Sequence, residues 1–292
     1  MKLQVENNVV IGYALEEMPF QAISDYSSSK CGFKEIGVEL EIAEGITTIG
    51  KSAFAGCGEL RSVVLPKSLK TIESKAFEKC ACLESVTMFD GIESIGANAF
   101  KGCGKLKSIE LPHNLKAIPA GLFKDCKLLE AVIINEQCST IGGSAFENTN
   151  IKTIQLPPSV KIIKAKAFNN AGLKEIFFSE GLESLGDYSL AKNEIKEIIL
   201  PESIRHIGAF WISNTFRTLE RVYLPDGLND IDLDAFCPAG YDNIKWDIYE
   251  VNMGSPVIEL VDKIVEMSSH AGSEPKSSWN LKGRLKLKLI KD

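Results

Sequence analysis

The stretch "SAFAGCGELRSVVLPKSLKTI", residues 52–72, returns as "KAFEKCACLESVTMFDGIESI" from Lys75 and as "NAFKGCGKLKSIELPHNLKAI" from Asn98, each copy 23 residues after the last. That interval decides the fold, because self-similarity at a fixed period of about 20 to 50 residues marks stacked repeats rather than a single closed core. Followed by columns, the Phe of the Ala-Phe pair recurs at Phe54, Phe77, Phe100, Phe123, Phe146 and Phe168, becomes Leu190 and Ile212, and returns as Phe236. Nine turns of 22 to 24 residues are registered in this way.

Five residues before each anchor stands a second apolar column, from Ile49, Ile72 and Ile95 through to Ile207 and Ile231, and a third runs from Leu69 to Leu228. Between them, pairs such as Val63/Leu65, Ile109/Leu111 and Ile198/Leu200 flank one outward residue. Alternation over so few positions predicts a short β-strand in every copy. One copy cannot close a core. Laid beside its neighbours at ~4.8 Å, it stacks like residue on like residue in buried ladders. The Ala-Phe element is expected to form a tight helical turn on the opposite wall.

The copies "LRSVVL" at 60–65 and "LKSIEL" at 106–111 fit the spacing L-x-x-L-x-L. With Ala-Phe, a Cys three residues on and a Pro after the strand, this pattern resembles the BspA-like class of leucine-rich repeats, also called the Treponema pallidum type, over roughly residues 35–249. The fold expected is an α/β solenoid: a leucine-rich-repeat horseshoe of about nine turns, with short parallel strands on the concave face and short helical turns or irregular structure on the opposite wall. The resemblance further implies a binding surface, often displayed in adhesion on bacterial or protist cells.

Composition bounds the remaining classes. The chain has 292 residues, 45% of them hydrophobic and 25% charged, which fits a protein able to bury a large core and excludes wholesale disorder. Its apolar runs fall far short of the ~18 to 20 residues of a membrane span. Glu6 stands where a signal peptide needs its apolar centre, so neither membrane insertion nor export is expected, and the location read from the chain is cytoplasmic. The family resemblance makes the cell surface the alternative. Eight cysteines are too few for a disulfide scaffold of this size, and reduced thiols are expected. From Lys276 onward six Lys/Arg face one acid, a local +5, so with a net charge of −6 the remaining residues 1–275 carry −11. An acidic body lacks the clustered Lys/Arg that phosphates require, so no nucleic-acid partner is expected.

The Cys column reads as packing. Cys57, Cys80, Cys103 and Cys126 are continued by Thr149, Ala171, Asn193, Thr215 and Ala239, all compact, whereas a metal or redox ladder would keep Cys or alternate it with His or Asp. Side chains in register point the same way, which is poor disulfide geometry. Cys82 falls in the column of Glu59 and is expected at the surface. His113 and His206 stand four turns apart, and no H-E-x-x-H, G-x-G-x-x-G, Walker or G-x-S-x-G motif appears. No catalytic, cofactor-binding or metal-ligating residues are assigned, and no cofactor is expected.

If the chain binds a partner, the outward strand residues carry the contact. The central outward position reads Val64, Thr87, Glu110, Ile133, Gln155, Phe177, Ile199 and Tyr223, turning apolar and aromatic along the chain. Beside it run Glu175, Glu197 and Arg221, a charged rim around an apolar centre of the kind interfaces use. The partner-binding residues expected are therefore Ile133, Glu175, Phe177, Glu197, Ile199, Arg221 and Tyr223. Trp211 replaces Ala in the column of Ala53 and Ala76, and is expected either to bulge outward or to repack the wall beside the smaller anchor Ile212.

Both ends of a solenoid need covering. Residues 1–34 read as an N-terminal cap with a hairpin around Asn7-Asn8, 35–250 as the solenoid, 251–272 as a capping helix that starts at Ser255-Pro256, and 273–292 as a polar linker with a basic strand-like tail. The function expected is a non-catalytic protein-binding module that presents its strand face to a protein partner. The alternatives are a structural or self-assembling repeat joined through its ends or basic tail, and a cell-surface adhesion protein.

Overall fold

The computed structural model describes residues 2–6, 9–14 and 38–215, followed by 218, 219, 221–225, 228, 230–232 and 235. The expected capping helix, the basic tail and the anchor Phe236 lie outside the described residues. The chain divides into two compact units, residues 1–152 and 153–292.

In the first unit each turn contributes a longer and a shorter strand. The longer ones are β3 (Val38–Glu41), β5 (Leu60–Val64), β7 (Ser85–Thr87), β9 (Ser108–Glu110) and β11 (Ala131–Ile133). The shorter are β4 (Thr48–Ile49), β6 (Thr71–Ile72), β8 (Ser94–Ile95), β10 (Ala117–Ile118) and β12 (Thr140–Ile141). Strands of a kind pair in parallel at the 23-residue step, Val63 with Val86 and Ile49 with Ile72. At the amino-terminal side β1 (Lys2–Glu6) and β2 (Val9–Ala14) pair antiparallel, and β2 lies alongside β4. The second unit repeats the arrangement. Its longer strands are β13 (Thr153–Gln155), β15 (Glu175–Phe177), β17 (Glu197–Ile199) and β19 (Arg221–Tyr223); its shorter ones are β14 (Ile162–Ile163), β16 (Ser184–Leu185), β18 (His206–Ile207) and β20 (Asp230–Ile231).

The columns are the core. Phe54, Phe77, Phe100, Phe123 and Phe146 are fully buried, with successive ring centroids 5.1, 5.2, 6.0 and 5.8 Å apart and planes within 22° of parallel. Offset-stacked rings at such spacings add to the burial of their area. Ile49, Ile72, Ile118 and Ile141, and Leu69, Ile92, Leu115 and Cys138, line the other two sides.

The third wall corrects the sequence reading: among the described residues it holds turns and no helix. The reason lies in two columns of left-handed backbone. Two residues before each anchor, φ is positive at Ser52, Lys75, Asn98, Gly121 and Ser144, and two residues after it at Gly56, Lys79, Gly102, Asp125 and Asn148. An α-helix needs consecutive right-handed residues, so this alternation forbids it. The N–H groups instead divide their work. Cys57 donates within its turn to the Phe54 carbonyl at 3.1 Å, while Phe54 N–H reaches the Ala76 carbonyl of the next turn at 2.7 Å. The bonds Phe77 to Ala99 and Phe123 to Ala145, at 2.7 and 2.8 Å, continue that ladder. In the second unit Trp211 is fully buried beside an equally buried Ile212, so the wall is repacked and the ring does not bulge into solvent.

One substitution interrupts a sheet. The residue after each short strand donates its N–H to the previous turn, Gly96 to Ile72 at 2.7 Å and Gly142 to Ile118 at 2.8 Å. In the turn between them the position is Pro119, which has no N–H to give Ile95. There β8 ends one hydrogen-bonded sheet and β10 begins another.

Candidate functional site

The Cys column is a column of donors as well as of small residues. Cys80, Cys103 and Cys126 each donate S–H to the Phe carbonyl one turn back, at 3.1, 3.3 and 3.1 Å. Asn193 Nδ2 gives the same bond to Phe168 O at 2.8 Å, and Thr215 Oγ1 gives it to Leu190 O at 3.0 Å. Burial pushes the Cys103 thiol well above its usual range, so it stays protonated. Cys82, expected at the surface, is half-buried. The thiols of Cys80, Cys103 and Cys126 thus tie each turn to the one before it.

Histidines pair with acids of a neighbouring turn. His113 Nδ1 lies 2.7 Å from Asp90 Oδ1, and His206 Nδ1 lies 2.7 Å from Asp230 Oδ2, both at the surface. Among the described residues no group of three or more His, Cys, Asp or Glu is placed to hold a metal ion, and no helix is long and apolar enough to cross a membrane.

The outward strand face offers the strongest candidate. Ile133 projects from β11 in the first unit and is 66% exposed. In the second unit Phe177 on β15 and Ile199 on β17 are 53% and 61% exposed, and both line an open groove of about 920 Å³. Large apolar side chains so exposed on adjacent turns are what a partner surface would cover. Glu175 and Glu197 lie at the same groove, each two residues ahead of its apolar neighbour. Arg221 and Tyr223 belong to β19, in register with Glu197 and Ile199 through the backbone; their side chains lie outside the described residues. The face breaks here into two-stranded sheets, β13 with β15 and β17 with β19, and the groove straddles that division.

Sequence reading missed the other rim. Glu180 and Glu202 line the groove beyond the apolar pair, with Glu202 N–H donating to Glu180 Oε1 at 3.3 Å. Together with Glu194 they raise the lining to five carboxylates against two cations, Lys174 and Lys196. Glu180 and Glu202 stand 22 residues apart at a fixed offset from Phe177 and Ile199, so the same column method finds them. The groove is thus apolar along its centre and acidic on both sides. A second concavity, of about 650 Å³, lies in the first unit where β8 and β10 part; Pro119, Asn114 and Gln137 are among its polar and apolar walls.

Comparison with known proteins agrees with the architecture. The family model described as the BspA type leucine rich repeat region matches in six copies, over residues 21–148 and 116–241. The crystal structure of the pneumococcal vaccine antigen PcpA is similar with a TM-score of 0.51 and 18% identity, covering 88% of this chain and 90% of that one. A leucine rich repeat protein of T. pallidum shares 26% identity over 53% of this chain and 76% of its own, at a TM-score of 0.49. One from Bacteroides ovatus shares 21% over 87% and 84%, at 0.42. No curated protein matches the chain. At 18% identity the PcpA structure speaks to the fold alone.

Proposed function

The chain belongs to the BspA-type leucine-rich repeat family, and from that premise we propose that it is a non-catalytic binding module whose second unit grips a protein partner through the groove at Phe177 and Ile199. One observation carries the reading. Two large apolar side chains, more than half exposed, sit on consecutive turns of the solenoid, with carboxylates along both sides of them. Leaving them in water is unfavourable, and covering a pair of this size supplies the apolar centre that interface hot spots share. The acidic flanks then orient the partner and favour one of positive charge.

The test is the double variant Phe177→Ser/Ile199→Ser in the full chain, followed by thermal melting and by capture of partners from native lysate. Both side chains face outward, so melting should stay within a few degrees of wild type while specific partners are captured at least about tenfold less well, as removal of a hot spot predicts. Retention of every specific partner by the variant refutes the reading.

A further inference from the structure

The groove's chemistry specifies a ligand: an extended segment, apolar on one side and rich in Lys or Arg. Its lining holds five carboxylates and two cations around Phe177 and Ile199, so an acidic peptide would set like charges against each other and a neutral one would leave the excess negative charge uncompensated. The chain itself carries a segment of that composition. Residues 281–291 read "LKGRLKLKLIK", with five basic residues, no acid, and Leu285, Leu287 and Leu289 at alternate positions. In an extended conformation those three leucines share one side, at a spacing of ~6.6 to 6.8 Å. Lys and Arg stems are long and apolar, and from the other side their charged ends can bend back to acids on either flank.

We infer that the groove around Phe177 and Ile199 is occupied in cis by the chain's own segment 281–291. The inference rests on the reading of this groove as a peptide-binding surface and names its resident occupant. The leucines cover the two exposed side chains, Arg284, Lys286 and Lys288 meet Glu175, Glu197, Glu180 and Glu202, and an outside partner must displace the segment or bind without it. Chain length sets no obstacle, because 46 steps separate Ala235 from Leu281 and an extended chain covers about 3.3 Å per residue. Tethering also makes docking intramolecular, so a free competitor must exceed the segment's effective concentration at the groove.

Hydroxyl-radical footprinting of the full-length chain, read by mass spectrometry at Phe177, tests this directly. In wild type the ring should react about threefold or more slowly than in R284E/K286E/K288E, as expected when a docked peptide buries most of a contact residue. The groove variant E175K/E197K should be equally reactive, and combining the two sets should restore protection by reversing both charges. The wild-type rate should not change on tenfold dilution. Equal reactivity of wild type and the tail variant, failure of the charge reversal to restore protection, or protection lost on dilution, which would assign the groove to a second copy, overturns the inference. Such a failure is separable from that of the binding module: if the tail does not dock, the groove is open in the full chain and the Phe177→Ser/Ile199→Ser capture experiment still reads partner binding on its own.

Discussion

Phe100→Ala tests the ladder on which the first unit is built. The ring is fully buried between Phe77, 5.2 Å away, and Phe123, 6.0 Å away, with planes inclined by 3° and 18°. Truncation removes the transfer free energy of a buried aromatic side chain and leaves a void that Phe77 and Phe123 cannot fill from fixed backbones, so the expected loss is about 3 to 5 kcal/mol. Two stacking contacts, each roughly 0.5 to 1.5 kcal/mol, disappear together and place the value toward the upper end. For a chain this size that corresponds to a fall in Tm of about 10 °C or more, at ~2 to 4 °C per kcal/mol. Because each turn touches only its neighbours, the loss should spread, and Phe77→Ala with Phe100→Ala should couple by about 0.5 kcal/mol or more. Urea denaturation of the two single variants and the double variant measures all of this. A loss below about 1 kcal/mol for Phe100→Ala would show that the stack is not the core, and the column argument would fall with it.

Cys103 donates to Phe77 O at 3.3 Å, so Cys103→Ala should cost on the order of 1 to 2 kcal/mol, and Cys103→Ser, which keeps a donor, should lose less in the same denaturation assay. Lys79 has φ of 61° in a column that is glycine in the turns on either side, at Gly56 and Gly102; Lys79→Gly should therefore raise stability by about 0.5 to 1 kcal/mol, seen as a higher Tm, and a lower Tm would count against the left-handed columns. The exposed pair of His113 and Asp90 should give a small pH dependence. The hydrogen bond to Asp90, and then its charge, raise the His113 pKa above 6.5, so that contribution is complete below 6.5 and fades as pH rises through the raised value. The His113 backbone N–H, followed by its ring, lowers Asp90 below 3.8, and that contribution is present above 3.8 and fades as pH falls through the lowered value. Proton NMR should show His113 titrating at higher pH than in Asp90→Asn; identical titration of the two chains would remove the pair.

Much of this molecule was legible in its sequence, because a fixed period leaves stacking little freedom. Once Ile49, Phe54 and Leu69 recur every 23 residues, each must lie over its own copy, and buried ladders follow from strand spacing alone. The outward strand positions followed from the same pleat, and Phe177 and Ile199 are exposed where the alternation puts them. The conformation of the third wall was decided elsewhere. Hydrophobic columns carry no information on the sign of φ, and the left-handed positions hold Lys75, Tyr188 and Phe210 as readily as Asn98 or Gly121. Hydrogen bonds between successive turns hold those residues in a conformation they would not choose alone, so the wall becomes a ladder of turns where local pattern suggested a helix. The same holds for the groove. Glu175 and Glu197 were legible beside Phe177 and Ile199 from the strand alternation, whereas Glu180 and Glu202 stand past the strand, where alternation carries no direction, and the folded backbone is what brings them to the same groove. A periodic sequence determines which residues share a column, whereas the tertiary structure decides what a column does, because hydrogen-bond partners, backbone handedness and exposure are properties of neighbouring turns and not of the repeat itself.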